Sequence, residues 1–87
     1  MEHIHKVDIY KAFGNHNRVQ LMMCLSKTQN VTELLGRCTL SQSSLSQHLK
    51  ILKNAGIVTC ERDGKQQIYS ITNKKVLQIA KLLLEFK

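Results

Sequence analysis

From Gln42 to Lys50 the sequence reads QSSLSQHLK, and its side chains sort by type when wound at 3.6 residues per turn. Gln42, Ser43, Ser46, Gln47 and Lys50 share one face, Ser44 and His48 lie at its flanks, and Leu45 and Leu49 fall opposite. Hydroxyls and carboxamides both donate and accept hydrogen bonds. The usual solvated helix face is salted with Glu and Lys for i,i+4 pairing and solubility, whereas this one carries no carboxylate. Helix propensity does not call for so many Ser residues. An acid-free Ser, Gln and Lys face suits a polyanion that displays hydrogen-bonding edges. In the major groove of DNA, Gln can pair with adenine and Ser with bases or phosphates. His48 adjoins Leu49, and two readings stay open for it, a partly packed ring or a DNA contact. Farther along, Arg62 and Lys65 bracket Asp63-Gly64, cations placed for a phosphate-backbone or minor-groove contact.

The charge balance points the same way. Thirteen Lys and Arg stand against six Asp and Glu, a formal +7, in 87 residues. Between Arg37 and Lys75 lie seven basic residues and two acidic ones, so most of the surplus sits in the stretch that holds the polar face. A one-sided basic surface on a small domain attracts polyanions.

The elements that would hold these groups can be read from caps and periodicity. Ile4, Val7, Tyr10 and Phe13 step along a first short helix before Gly14. Asn15 caps a second, with Val19, Leu21, Met22 and Leu25. Asn30-Val31-Thr32-Glu33 is a capping-box pattern opening a third helix, with Val31, Leu34, Leu35 and Cys38 on its apolar side. Ser41 caps a fourth from about Gln42 to Ala55, whose stripe is Leu45, Leu49 and Leu52 with Ile51 beside it, and Gly56 suits the left-handed position that ends it. Two β-prone runs, Ile57–Arg62 and Lys65–Ile71, flank Asp63-Gly64, which predicts a hairpin with a type I′ turn at that dipeptide. A last helix runs from near Asn73 to about Phe86. The expectation is one domain over residues 1–87, mainly α with a β-hairpin wing: a winged helix-turn-helix of five helices and one two-stranded hairpin, with dimerisation helices at both ends.

Several stretches of the chain resemble the ArsR/SmtB family of bacterial repressors. They are Asn15-His16-Asn17-Arg18 leading into a helix, the run LSQSSLSQHLKIL from Leu40 to Leu52, Ala55-Gly56-Ile57-Val58, Asp63-Gly64-Lys65, and Ile68-Tyr69-Ser70-Ile71. The resemblance runs from about Ala12 onward; His16 stands where many relatives carry proline, which removes some pre-organisation of the second helix. It implies a homodimer joined through its first and last helices, binding an inverted repeat in double-stranded DNA near a promoter. By match, the recognition positions fall on Gln42, Ser43, Ser44, Ser46, Gln47 and His48.

The family's sensor sites do not carry over. Its paired third-helix thiolates would fall near Asn30 and Thr32, and its last-helix ligands are Asp and His, whereas Asn73 to Lys87 offers only Glu85. No metal and no cofactor are expected. A thiol switch like that of another branch needs a cysteine in the last helix, which has none; Cys24 and Cys38 remain as candidate thiol sensors, each more simply a small buried hydrophobe. The sequence names no inducer.

Val76, Leu77, Ile79, Ala80, Leu82, Leu83, Leu84 and Phe86 cover more of the last helix than one small core can bury, which predicts a dimer. Its interface is expected at Ile4, Val7, Leu77, Ala80, Leu83 and Leu84. An odd count of three cysteines without framework spacing, no apolar stretch of signal-peptide length and no membrane-length run predict a soluble, cytoplasmic protein. No Gly-rich phosphate loop, HExxH, GxSxG or carboxylate pair points to an enzyme. The function expected is a sequence-specific DNA-binding transcriptional regulator, a repressor by the resemblance. The alternative is a winged-helix protein-interaction module docking an acidic partner.

Overall fold

A computed structural model of the chain describes residues 4–27, 30–37 and 40–86. The elements follow in the order α1 (Lys6–Ala12), α2 (His16–Leu25), α3 (Val31–Arg37), α4 (Gln42–Asn54), β1 (Val58–Asp63), β2 (Gln66–Ile71) and α5 (Lys74–Glu85). Side chains just outside the helices decide where most of them begin. The carboxamide oxygen of Asn15 accepts from the amides of Asn17 at 2.9 Å and Arg18 at 3.3 Å, that of Asn30 from Thr32 at 2.8 Å and Glu33 at 3.4 Å, and that of Asn73 from Lys75 at 2.8 Å. Ser41 Oγ accepts from the Ser44 amide at 3.2 Å. Each such cap satisfies donors that a helix start leaves open and is worth about 1 kcal/mol.

Gly56 ends α4 with φ 78°, and the bonds around it form a Schellman motif. The Gly56 amide donates to Lys53 O and the Ile57 amide to Leu52 O, both at 3.0 Å. Chain reversal here delivers Ile57 and Val58, both fully buried, straight into the core.

That core joins α2, α4, the base of the hairpin and α5. Leu21, Met22 and Leu25 of α2 meet Leu45, Leu49 and Leu52 of α4 together with Val76 and Ala80 of α5, all nearly inaccessible to solvent. Burying leucines at steps of four and three fixes the rotation of α4 about its axis, at roughly 1.5–3 kcal/mol for each side chain. The Ser, Gln and Lys face is thereby turned outward.

The hairpin is antiparallel, with Val58 opposite Ile71 and Asp63 opposite Gln66. This register corrects the expected turn. The two loop residues are Gly64 and Lys65 rather than Asp63 and Gly64, and of these only Gly64 has positive φ, 64°. A glycine in the first loop position with an ordinary residue second is the pattern of a type II′ turn, not of type I′. The hairpin is tied to the body at its base, where Thr72 Oγ1 donates to Gly56 O at 2.7 Å and to Ile57 O at 3.0 Å. It is tied again through Asn30, which bridges to Ile68 along the backbone and whose Nδ2 donates to Gln66 Oε1 at 2.8 Å.

Among the described residues no helix is long and apolar enough to cross a membrane.

Candidate nucleic-acid interface

The residues expected to read DNA fall into two groups on this frame. On α4, Gln42, Ser43, Ser46, Gln47 and Lys50 are exposed, while Ser44 and His48 are half-buried at the edges, as the helical projection predicts. Ser43 Oγ lies 3.3 Å from the capping Ser41 Oγ, so the first turn of α4 presents a cluster of hydroxyls. A helix whose start is capped and whose far side is locked in the core holds such side chains at fixed spacing.

At the wing, Arg62 on β1 and Lys65 in the turn are exposed. Together with Asn30, Thr32, Gln66 and Gln67 they line a polar cleft of about 200 Å³ between the start of α3 and the hairpin. Sequence reading found the two cations but missed Asn30 and Gln66, which fix the hairpin to α3. Asn30 was legible as a cap; that its other amide atom would reach a residue 36 positions on was not.

His48 takes the middle course between its two readings. It is half-buried, and its Nδ1 lies 3.4 Å from Arg18 Nη1. Burial first, and the Arg18 guanidinium second, push its pKa down, so the ring is neutral near pH 7. Arg18, 30 positions away from this partner, stood in the sequence only as part of the Asn15-His16-Asn17-Arg18 run that leads into a helix.

The expected dimer residues do not all point the same way. Val7 (51% exposed) and Leu83 (44%) face outward. Ile4, Leu77 and Leu84 are half-buried against the core of their own chain. Ala80 is corrected: it is wholly buried within that core, because α5 packs along α2 through this face, and it cannot also be surface. On α1, on α5 and just past its end, the outward apolar residues missing from the expected set are Tyr10 (67%), Ile79, Leu82 and Phe86. Between α1 and α5 lies an open cleft of about 530 Å³ lined by Lys6, Ile9, Tyr10, Phe13, Ile79 and Leu83. Apolar side chains of both ends of the chain are thus exposed around one cleft.

Of the candidate thiols, Cys24 is half-buried against the core, and Cys38 lies outside the described residues. Cys60 is half-buried on β1 opposite Tyr69, whose phenol is pushed up by burial and then by its hydrogen bond with the Cys60 thiol. Among the described residues no three His, Cys, Asp or Glu side chains are grouped to hold a metal ion.

Comparison with known proteins places this geometry. Residues 15–59, the span from the α2 cap into the hairpin, match the family described as bacterial regulatory protein, arsR family. An uncharacterised HTH-type transcriptional regulator of Methanocaldococcus jannaschii is 34% identical over 80 residues, covering 90% of each chain. The transcriptional activator HlyU of Vibrio cholerae is 36% identical over 78 residues, 88% of this chain and 72% of HlyU. A solved structure of HlyU superposes with a TM-score of 0.78 at 35% identity, covering 94% of this chain and 92% of that one. The homodimeric winged helix-turn-helix DNA-binding domain Mb0332 of Mycobacterium bovis, a possible ArsR-family regulator, superposes with a TM-score of 0.77 at 25% identity, covering 90% of this chain and 73% of that one.

Proposed function

The chain belongs to the arsR family of bacterial regulatory proteins, DNA-binding regulators of transcription and not enzymes, and from that premise we propose that it is a repressor that grips an inverted-repeat operator as a homodimer. The observation that carries the reading is the exposed, acid-free face of α4, held rigid by the Ser41 cap, the Gly56 reversal and three buried leucines. In this reading α4 enters the major groove. Gln42 and Gln47 contact base edges, Ser43, Ser44, Ser46 and His48 contact bases or phosphates, and Lys50, Arg62 and Lys65 hold the backbone. The outward apolar residues of α1 and α5 pair with those of a second copy, which sets the distance between the two recognition helices. A dimer seated across a promoter excludes polymerase from it.

The roles assigned to Gln47 and Lys65 separate in one binding experiment. Gln47→Ala is expected to lose roughly 1–3 kcal/mol per half-site and to relax specificity at one position of each. Lys65→Ala should weaken every sequence alike and reduce the slope of log affinity against log salt by about one phosphate contact per half-site. Titrations of both variants on the preferred and a scrambled duplex at several salt concentrations check this. If Gln47→Ala leaves the preference between the duplexes intact, α4 does not read the bases. If the protein ignores both duplexes and captures an acidic protein instead, the docking reading replaces this one. Transcription from a template carrying the operator should fall as protein is added; a rise would make the protein an activator, as HlyU is named.

A further inference from the structure

Arg18 sits where three parts of the molecule meet. Its Nε donates to Ala12 O at 2.6 Å and its Nη2 to Lys11 O at 3.4 Å, carbonyls in the last turn of α1 that the helix itself leaves without an amide partner or shares with the Gly14 amide. Its Nη1 faces His48 Nδ1 across 3.4 Å. A guanidinium has donors only, so the ring nitrogen that meets it must accept, and the proton of the neutral ring then lies on Nε2. Arg18 itself is only partly buried, and its fork spans backbone and ring at once, which the single ammonium of a lysine could not do.

We propose that Arg18 is a positioning residue for DNA recognition: anchored on the end of α1, it locks His48 with Nδ1 turned inward as an acceptor and Nε2–H left as the group that donates to DNA. The proposal rests on the reading of α4 as the recognition helix. It also makes one side chain the link between α1, which carries part of the association face, and α4. A fixed donor at the flank of the Ser and Gln face selects an acceptor opposite it, a phosphate oxygen or a guanine edge, and rejects a donor.

The test has one arm on the free dimer and one on DNA. In the free protein, the NMR titration of His48, identified by its loss in His48→Ala, should move to higher pH in Arg18→Gln, because the guanidinium that disfavours the charged ring is gone. A titration unmoved by the substitution would overturn the proposal. On the preferred duplex, Arg18→Gln and His48→Ala should each weaken binding about tenfold per half-site, on the order of the worth of one hydrogen bond, and the double variant should be no weaker than either single one. Losses that multiply would show that Arg18 does not act through His48, and losses absent from both single variants while Gln47→Ala still relaxes specificity would sink the proposal but leave the recognition helix standing. Loss of all sequence preference in the unsubstituted protein would remove the reading beneath it. Should Arg18→Gln fail to fold, Arg18→Lys gives the same decision: it keeps the charge without the fork and is expected to show the tenfold loss, and full affinity in it would contradict the proposed geometry.

Discussion

Leu83→Lys is expected to turn the protein into monomers at micromolar concentration and to weaken operator binding by roughly 10²–10⁴-fold, the advantage a dimer gains by presenting its second half-site contact at high effective concentration. Leu83 is 44% exposed on α5 and lines the cleft that α5 forms with Tyr10 of α1 and with Phe13 just past the end of α1. Because the residue is on the outside of its own chain, a lysine there disturbs the protomer little, and its ammonium reaches water in the monomer. In a dimer the same ammonium would be buried among apolar side chains without a partner, which costs several kcal/mol. Sedimentation gives the oligomeric state, and circular dichroism shows that the helices persist. A Leu83→Lys protein that remains dimeric places the association face elsewhere. A corresponding change at Ala80 would report something different, since Ala80 is enclosed in the protomer and its replacement by a lysine unfolds the chain rather than parting two copies.

Leu49→Ala is expected to cost roughly 2–5 kcal/mol of folding stability, from the lost transfer of the side chain out of water together with the cavity left behind. Leu49 is 1% exposed and sits between the other two leucines of the α4 stripe, so the cavity would lie beneath the Ser and Gln face of α4. A small domain has only about 5–15 kcal/mol in all, and DNA binding should weaken along with stability. Ile51, two residues on, is 41% exposed, and Ile51→Ala should cost less than about 1 kcal/mol. Denaturant unfolding of both variants at one protomer concentration checks the contrast. Equal losses would mean that α4 is rotated from the orientation described, and that its Ser and Gln face is not the one presented to DNA.

Features set by local chemistry were legible in the sequence. Asn15, Asn30, Ser41 and Asn73 act on amides two or three residues away, and Gly56 on the turn just behind it, so each helix boundary they govern could be placed within a residue or so. The α4 stripe was legible because one face is apolar and the other polar, with little between. Where that contrast fails, sequence reading fails with it. The last helix is apolar over much of its circumference, and nothing in its own spacing tells that Ala80 turns inward while Leu82 and Leu83 turn out. In α1, Val7 was expected at an interface and is exposed, but nothing in the spacing told that Tyr10 on the same stripe turns out as well. The hairpin was expected where it lies, but its register follows from pairing along its length and from the Thr72 anchor at its base, which moved the turn by one residue from Asp63-Gly64 to Gly64-Lys65. Contacts between distant residues, Arg18 with His48 and Asn30 with Gln66, left no mark in local patterning at all.

Under the proposed function, two copies of this chain read DNA through paired α4 helices. Selection of bound duplexes from a randomised pool, with purified protein near physiological salt, tests it most directly. The expected result is enrichment of a near-palindrome whose half-sites are centred about one helical turn apart, roughly 34 Å, as two symmetry-related recognition helices require. Enriched sequences without a dyad, or no enrichment over the starting pool, would contradict it.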